Sequence, residues 1–152
     1  MREGFDWGFW FQWFMATALG WVLGRFLLPN LALVTTGLAI GILQWYTIRQ
    51  RFKAAWRWIV ASTLGWALGA ALILFLVPAE AAFQAGVVTG LTIGIAQWLL
   101  LRREVRWAGW WIPINIMAWT TGFAFLNGML LTGVSAGLIT ATAMALLLME
   151  RI

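Results

Sequence analysis

A helical hairpin pattern recurs three times along this chain, and it restricts the possible folds more than any other feature. In each of six apolar segments, two small residues stand four positions apart. That spacing places both on one helix face, where a neighbouring helix backbone can approach closely. The pattern predicts an all-α fold of six helices in a compact bundle. The pairs are Gly20 with Gly24, Gly37 with Gly41, Gly65 with Gly69, Gly90 with Gly94, Ala118 with Gly122 and Gly133 with Gly137.

The composition predicts that this bundle lies in a membrane. Of the 152 residues, 63% are hydrophobic and 10% are charged, whereas a soluble domain averages about 25% charged residues. A bilayer-spanning helix needs about 20 apolar residues. The predicted spans are residues 9–28, 31–48, 58–77, 82–101, 110–126 and 129–149. The turn before the last span lies either at 126–128 or at 131–133.

The three hairpins, at about 9–49, 56–102 and 110–151, align with one another. Their first helices carry a tryptophan seven positions before a small residue: Trp13, Trp58 and Trp111. Their second helices share the pattern Thr-Gly-x-x-x-Gly. Each hairpin crosses the membrane twice, so all three copies point the same way and are related by an axis along the membrane normal. We therefore expect one transmembrane domain over residues 1–152, with a pseudo-threefold axis.

The start of the chain resembles a secretory signal. Ala16-Thr17-Ala18 imitates a cleavage site after an apolar stretch. The triplet aligns, however, with Ala61-Ser62-Thr63 inside the second hairpin. We therefore expect an uncleaved first span.

The basic residues predict the orientation of the bundle. Nine of the ten fall on one side of the predicted spans, and Arg25 falls on the other. Basic residues accumulate on the cytoplasmic side of membranes, so we expect a multi-pass protein with both termini in the cytoplasm. This fringe either serves topology alone or also attracts anionic lipid or an acidic partner. It forms no separate basic domain, so we expect no nucleic-acid partner. The nine are Arg2, Arg49, Arg51, Lys53, Arg57, Arg102, Arg103, Arg106 and Arg151.

The 13 tryptophans divide by their expected depth. Ten stand near the predicted cytoplasmic ends. They form either an aromatic belt at the level of the lipid headgroups or a rim that contacts another protein. Trp21, Trp66 and Trp119 stand near mid-span instead. They either pack between helices beside the glycines or offer a flat surface to a lipid, quinone, carotenoid or chlorin. The ten are Trp7, Trp10, Trp13, Trp45, Trp56, Trp58, Trp98, Trp107, Trp110 and Trp111.

Gln44 and Gln97 are the strongest polar candidates for a site. Each lies five positions before an arginine and three after a glycine of the second helix. A side-chain amide at that depth either joins helices by hydrogen bonds or contacts a ligand, such as a lipid headgroup or a chlorophyll magnesium. Thr140 stands at the corresponding position of the third hairpin, so we expect no threefold role for the glutamine.

The residues needed for common catalytic chemistry are missing. The chain has no histidine and no cysteine, and its single aspartate is Asp6. No predicted span has an acidic residue at its centre, which argues against proton relays and ion-coupled carboxylate sites. We therefore expect no metal site and no required cofactor, with lipid, carotenoid or chlorophyll as the candidate ligands, and no enzymatic activity.

A family resemblance rests on Gly90, Gly94, Gln97-Trp98, Arg102-Arg103 and Trp110-Trp111. This pattern resembles the uncharacterised Gly/Trp-rich tandem-repeat (GxxxGxxQW) integral membrane proteins of cyanobacteria and Chloroflexota. The resemblance covers nearly the whole chain, although its motifs are low in complexity. It implies a bacterial inner membrane or a photosynthetic membrane, and it brings no known activity.

Two classes of function remain open. The first is a non-catalytic accessory or scaffold subunit of a larger membrane complex, photosynthetic or bioenergetic, that holds lipid or pigment. Its partners would be membrane lipids and other membrane subunits or further copies of itself. The second is a small transporter or channel for a small or apolar solute, running along the pseudo-threefold axis. A polar solute would need more polar groups than scattered threonine and glutamine supply.

Overall fold

The computed structural model describes residues 4–152, which form a helical bundle with short connections. Arg2, one of the basic residues used above for orientation, lies outside the described residues. A π-helical turn, Leu23–Leu27, extends the first helix, and 3-10 turns cover Pro29–Leu31 and Ala108–Trp110. Within the described part the α-helices are α1 (Trp7–Val22), α2 (Ala32–Ile48), α3 (Arg57–Leu76), α4 (Ala82–Leu101), α5 (Trp111–Leu126) and α6 (Leu130–Leu148).

Two of the helix ends have clear local causes. The Asp6 carboxylate caps α1 by accepting a hydrogen bond from the Phe9 N–H at 2.9 Å, which satisfies one free donor of the first turn. Asn127 and Gly128 take left-handed backbone angles, with φ of 52° and 63°. Such residues end helices, and they place the α5–α6 turn at 127–129 instead of 131–133.

The helices form a closed ring in which each packs against its neighbours in sequence, and α6 returns to pack against α1. Four segments are long and apolar enough to cross a membrane: Pro29–Ile48, Arg57–Leu76, Ala82–Leu101 and Leu130–Leu148. The other two helices, α1 and α5, have 16 residues each.

Glycines permit the close approach of neighbouring helices in this ring. A Cβ added at Gly37 would lie 2.7 Å from the Ser62 carbonyl oxygen on α3, and one at Gly90 would lie 2.5 Å from the Asn115 carbonyl oxygen on α5. A Cβ cannot approach a backbone atom so closely, so these crossings depend on glycine.

Backbone atoms of a neighbouring helix also lie close to several other glycines of the spaced pairs. An added Cβ at Gly24, inside the π-helical turn, would lie 2.7 Å from the Thr35 carbonyl oxygen on α2. One at Gly137 of α6 would lie 2.9 Å from the Phe14 carbonyl oxygen on α1. Four more glycines would place a Cβ 2.7 to 3.1 Å from a Cα of the adjacent helix, and they are Gly20, Gly41, Gly65 and Gly94.

At three of the spaced glycines, the atoms within 3.3 Å of an added Cβ belong to side chains alone, which differs from the backbone contact that the spacing predicts. An added Cβ at Gly69 would lie 2.5 Å from the Thr92 hydroxyl oxygen, and one at Gly122 would lie 2.5 Å from a methyl carbon of Thr132. Gly133 faces Trp21, whose Cβ would lie 2.6 Å away. The reason is that a helix crossing at these points directs a side chain, and not its backbone, at the glycine. The remaining small residue, Ala118, is completely buried.

Two backbone hydrogen bonds and one ion pair join the connections at one end of the ring. The Arg106 N–H donates to the Glu150 carbonyl at 3.0 Å, and the Ile152 N–H donates to the Glu104 carbonyl at 3.2 Å. The Arg51 guanidinium lies 2.6 Å from the Asp6 carboxylate. The α2–α3 loop, the α4–α5 loop and the ends of the described chain therefore share one end of the bundle.

Candidate functional site

The centre of the ring contains two layers of three indoles. The first indole triad is Trp13, Trp58 and Trp111, with ring centroids 5.5 to 6.2 Å apart. The second indole triad is Trp21, Trp66 and Trp119, with centroids 5.2 to 5.8 Å apart. Eight positions separate the two layers on each helix, about 12 Å at about 1.5 Å per residue. Each layer takes one ring from α1, one from α3 and one from α5.

The burial of the first triad corrects one expectation from the sequence. Trp13, Trp58 and Trp111 are at most 1% exposed, so they do not belong to an aromatic belt facing headgroups. Their position along each helix was predictable, but the direction of each side chain depends on how the helices are rotated. Trp7, Trp56, Trp107 and Trp110 do lie on the exposed surface.

A polar layer lies between the two triads and includes both glutamines. The Gln44 Oε1 accepts the Trp58 Nε1–H at 2.9 Å, and its Nε2 donates to the Thr17 hydroxyl at 2.9 Å. Gln44 on α2 therefore links α1 to α3. Its side chain is 4% exposed, so this pairing offsets the cost of burying an amide.

Gln97 repeats the arrangement one hairpin later. Its Oε1 accepts the Trp111 Nε1–H at 2.9 Å, and its Nε2 donates to the Ser62 hydroxyl at 2.9 Å. The same Nε2 lies 3.5 Å from the Gln44 Oε1, which brings the two amides into contact. Both glutamine side chains are therefore engaged with the first indole triad and with hydroxyls of other helices.

Thr140 supplies the corresponding acceptor in the third hairpin. The Trp13 Nε1–H donates to its hydroxyl at 3.2 Å, and that hydroxyl donates to the Ala136 carbonyl at 2.7 Å. Every indole of the first triad thus has an acceptor on the preceding helix of the ring, in which α6 precedes α1. The residue type differs among the hairpins, but in each hairpin the side chain at this position accepts an indole N–H.

The second triad is less completely hydrogen-bonded. The Trp21 Nε1–H donates to the Met129 carbonyl at 3.1 Å. The Trp119 Nε1 is buried and has no acceptor among the described residues. The three rings meet one another edge-on or tilted, and Phe123 contacts Trp21 and Trp119 in the same way. All three indoles are at most 7% exposed, so the flat surfaces considered for a pigment are covered by neighbouring side chains.

A small cavity of about 10 Å³ lies between the triads. It is lined by both glutamines, by Trp119 and by the hydroxyls of Thr17 and Thr140, among others. A space of this size is comparable to a single water molecule.

Three members of the polar layer were missed from the sequence. Thr17, Ser62 and Asn115 are each at most 2% exposed. The Asn115 side chain donates to the Trp111 carbonyl at 2.9 Å. A signal was available, because each of the three stands four positions after a tryptophan of the first triad and so shares its helix face.

The described residues contain no group of three His, Cys, Asp or Glu side chains that would hold a metal ion. Asp6 caps α1 at the end of the bundle. The Phe9 N–H, followed by the neighbouring Arg51, lowers the pKa of Asp6 below its usual value despite some desolvation. This carboxylate therefore acts as a helix cap and as the ion-pair partner of Arg51.

Comparison with known proteins gives no match: no family model fits the chain, and no curated protein and no solved structure matches it.

Proposed function

We propose that this protein is a non-catalytic accessory or scaffold subunit of a larger membrane complex. In this proposal all six helices span the membrane as three parallel hairpins around a pseudo-threefold axis, with both termini in the cytoplasm. The resemblance to tandem-repeat proteins of cyanobacteria and Chloroflexota would place that complex in a bacterial inner or photosynthetic membrane.

The observation that carries the proposal is the contrast between the centre and the outside of the ring. The two indole triads and the polar layer fill the axis with the chain's own side chains. Large apolar side chains instead face outward along the helices. On α3 they include Leu64, Leu68 and Phe75, which are 55 to 84% exposed. A protein of this shape has its interaction surface on its outer helix faces.

Any bound lipid or pigment would accordingly lie on the outside. One groove there, of about 320 Å³, runs between α1 and α2 and is mostly apolar. Phe11, Met15, Leu19, Leu43 and Tyr46 line it. Its shape and apolar lining suit a hydrocarbon chain better than a polar solute.

Transport of a small solute along the axis is the competing proposal. It would require two layers of buried indoles and the hydrogen-bonded amides between them to separate. The hydrogen bonds from Trp58 and Trp111 to the glutamines oppose that separation. The geometry therefore favours the subunit proposal.

Purification from the native membrane tests the proposal. The tagged protein, extracted in a mild detergent, should co-purify with other membrane proteins in a fixed ratio, and an absorbance spectrum of the same sample would reveal a pigment. Isolation without partners, together with solute flux in liposomes that contain only this protein, would favour transport.

A further inference from the structure

A cavity of about 190 Å³ opens at the end of the bundle where the loops meet. It lies between the end of α2, the α2–α3 loop, the start of α3 and the α4–α5 loop. The interior lining includes Ile48, Phe52 and Trp58, all buried at 9% exposure or less. The cavity therefore has an apolar floor that is continuous with the core.

The rim of this cavity is basic. Lys53, Arg57 and Arg103 line it and are exposed, and Glu104 is the one acidic residue in the lining. One ion pair occurs within residues 4–152, and it joins Arg51 to Asp6. The three cations of the rim therefore have no carboxylate partner in the described chain, so their charge is available to an anion.

Exposed apolar side chains continue from this rim along the outer surface. Trp56 and Val60 on the α3 side are 58% and 44% exposed, and Leu99 on α4 is 44% exposed. A molecule with an anionic head and hydrocarbon chains would match both parts, with its head at the basic rim and its chains along these helices. Basic pockets between helices at a membrane surface bind lipid headgroups by this chemistry.

We propose that Lys53, Arg57 and Arg103 form a binding site for the phosphate group of an anionic membrane lipid. Three donors from two loops and a helix start can contact several phosphate oxygens at once, as charge-assisted hydrogen bonds do. The inference rests on the proposed membrane location and is independent of any partner complex. A free phosphate ester would use the same groups, and the experiment separates the two sources.

Native mass spectrometry of the purified protein tests this site. Phosphatidylglycerol is titrated into the detergent solution, and phosphatidylcholine with the same acyl chains serves as the zwitterionic lipid. The variant K53Q/R57Q/R103Q removes the rim charges. The matched control R49Q/R102Q/R106Q removes the same number of exposed charges outside this cavity.

We expect the rim variant to bind phosphatidylglycerol on the order of 100-fold more weakly, since each basic residue near a lipid surface contributes about five-fold. The control should lose much less. Equal losses in the two variants, or equal binding of both lipids by the wild type, would overturn the proposal. If glycerol phosphate raises the melting temperature of the wild type but not that of the rim variant, and the wild type retains no lipid, the site binds a soluble phosphate ester instead of a lipid.

Two further measurements keep the test decisive. The single variants R57Q and R103Q should each weaken lipid binding about five-fold, and they probe the same site if the triple variant does not fold. Carbonate washing of membranes tests the membrane location separately. A wild type that stays in washed membranes but shows no lipid preference contradicts this site alone, whereas a wild type that washes out contradicts the proposed function.

Discussion

At the scale of single residues, the glutamines illustrate how a buried amide is stabilised. Gln44 and Gln97 each accept from an indole and donate to a hydroxyl on another helix. A buried hydrogen bond adds only about 1 kcal/mol, but leaving its partner unpaired costs about 1–3 kcal/mol. These residues are therefore important mainly because their loss would leave other buried groups without partners.

Replacing Gln97 with leucine should lower the free energy of unfolding by about 1–3 kcal/mol, because the Trp111 N–H loses its acceptor. The matched control is Gln84→Leu on the same helix, where the side chain is exposed; it should change stability by less than about 0.5 kcal/mol. Unfolding in mixed micelles, followed by circular dichroism, measures both. Equal stability of the two variants would show that the Gln97 hydrogen bonds do not stabilise the fold.

Two tryptophans provide a second matched comparison. Trp111→Phe removes a donor and leaves the Gln97 Oε1 without its indole, whereas Trp119→Phe removes an N–H that has no acceptor among the described residues. Both changes remove the same atoms from buried positions, so the loss of packing is similar. We expect Trp111→Phe to be the more destabilising by about 1–2 kcal/mol, as read from thermal unfolding in detergent. The reverse order would mean that the Trp119 N–H has a partner outside the chain.

At the scale of elements, glycine determines how closely the helices approach. Gly37 and Gly90 meet backbone atoms of the next helix, and Gly65 would place a Cβ 3.0 Å from the Ile93 Cα. Where a helix of this ring meets its neighbour so closely, even a methyl group would displace the backbone. Apolar helices in a membrane associate through such packing, because lipid already solvates their side chains.

Gly90→Ala should therefore cost about 1–3 kcal/mol, the usual range for overpacking, and Gly65→Leu should disrupt the bundle. Gly109 is the control for alanine and Gly4 for leucine, since an added Cβ at either would meet nothing within 4 Å. Gel filtration and thermal unfolding in detergent report on all four variants. If Gly90→Ala had the same melting temperature as the wild type, the α4–α5 crossing would tolerate a larger helix separation than its geometry indicates.

At the scale of the whole molecule, the connections fall into two groups at opposite ends of the ring. The basic loops after α2 and α4 meet the ends of the described chain, through contacts such as Arg51 with Asp6 and Arg106 with Glu150. The connections after α1, α3 and α5 lie at the other ends of the same helices. An even number of spans and an excess of basic residues at one end would orient such a ring in a membrane.

Reporter fusions test this orientation directly. Fusions after Ile48 and Leu101 should report a cytoplasmic location, and fusions after Asn30 and Pro78 a periplasmic one, if all six helices cross the membrane. Activities of alkaline phosphatase and of a cytoplasmic reporter at the four positions measure it. A periplasmic result after Leu101 would contradict three hairpins of equal orientation.

The α-helical class and the approximate ends of the helices follow from the order of residues. Helix formation and apolar length are local properties, so the predicted span at 82–101 coincides with α4. The sequence also showed that Thr140 stands at the position in the third hairpin that corresponds to Gln44 and Gln97, but it did not reveal that all three residues accept an indole N–H.

Only the tertiary structure decided which face of each helix turns inward. That rotation depends on contacts between helices far apart in the chain, such as Trp13 of α1 with Thr140 of α6. An apolar helix in lipid has little amphipathic pattern to reveal its inner face, so Trp13, Trp58 and Trp111 were mistaken for surface residues. The basic cavity was likewise not predictable, because the ring brings Lys53 and Arg57 beside Arg103 from a loop almost 50 positions later.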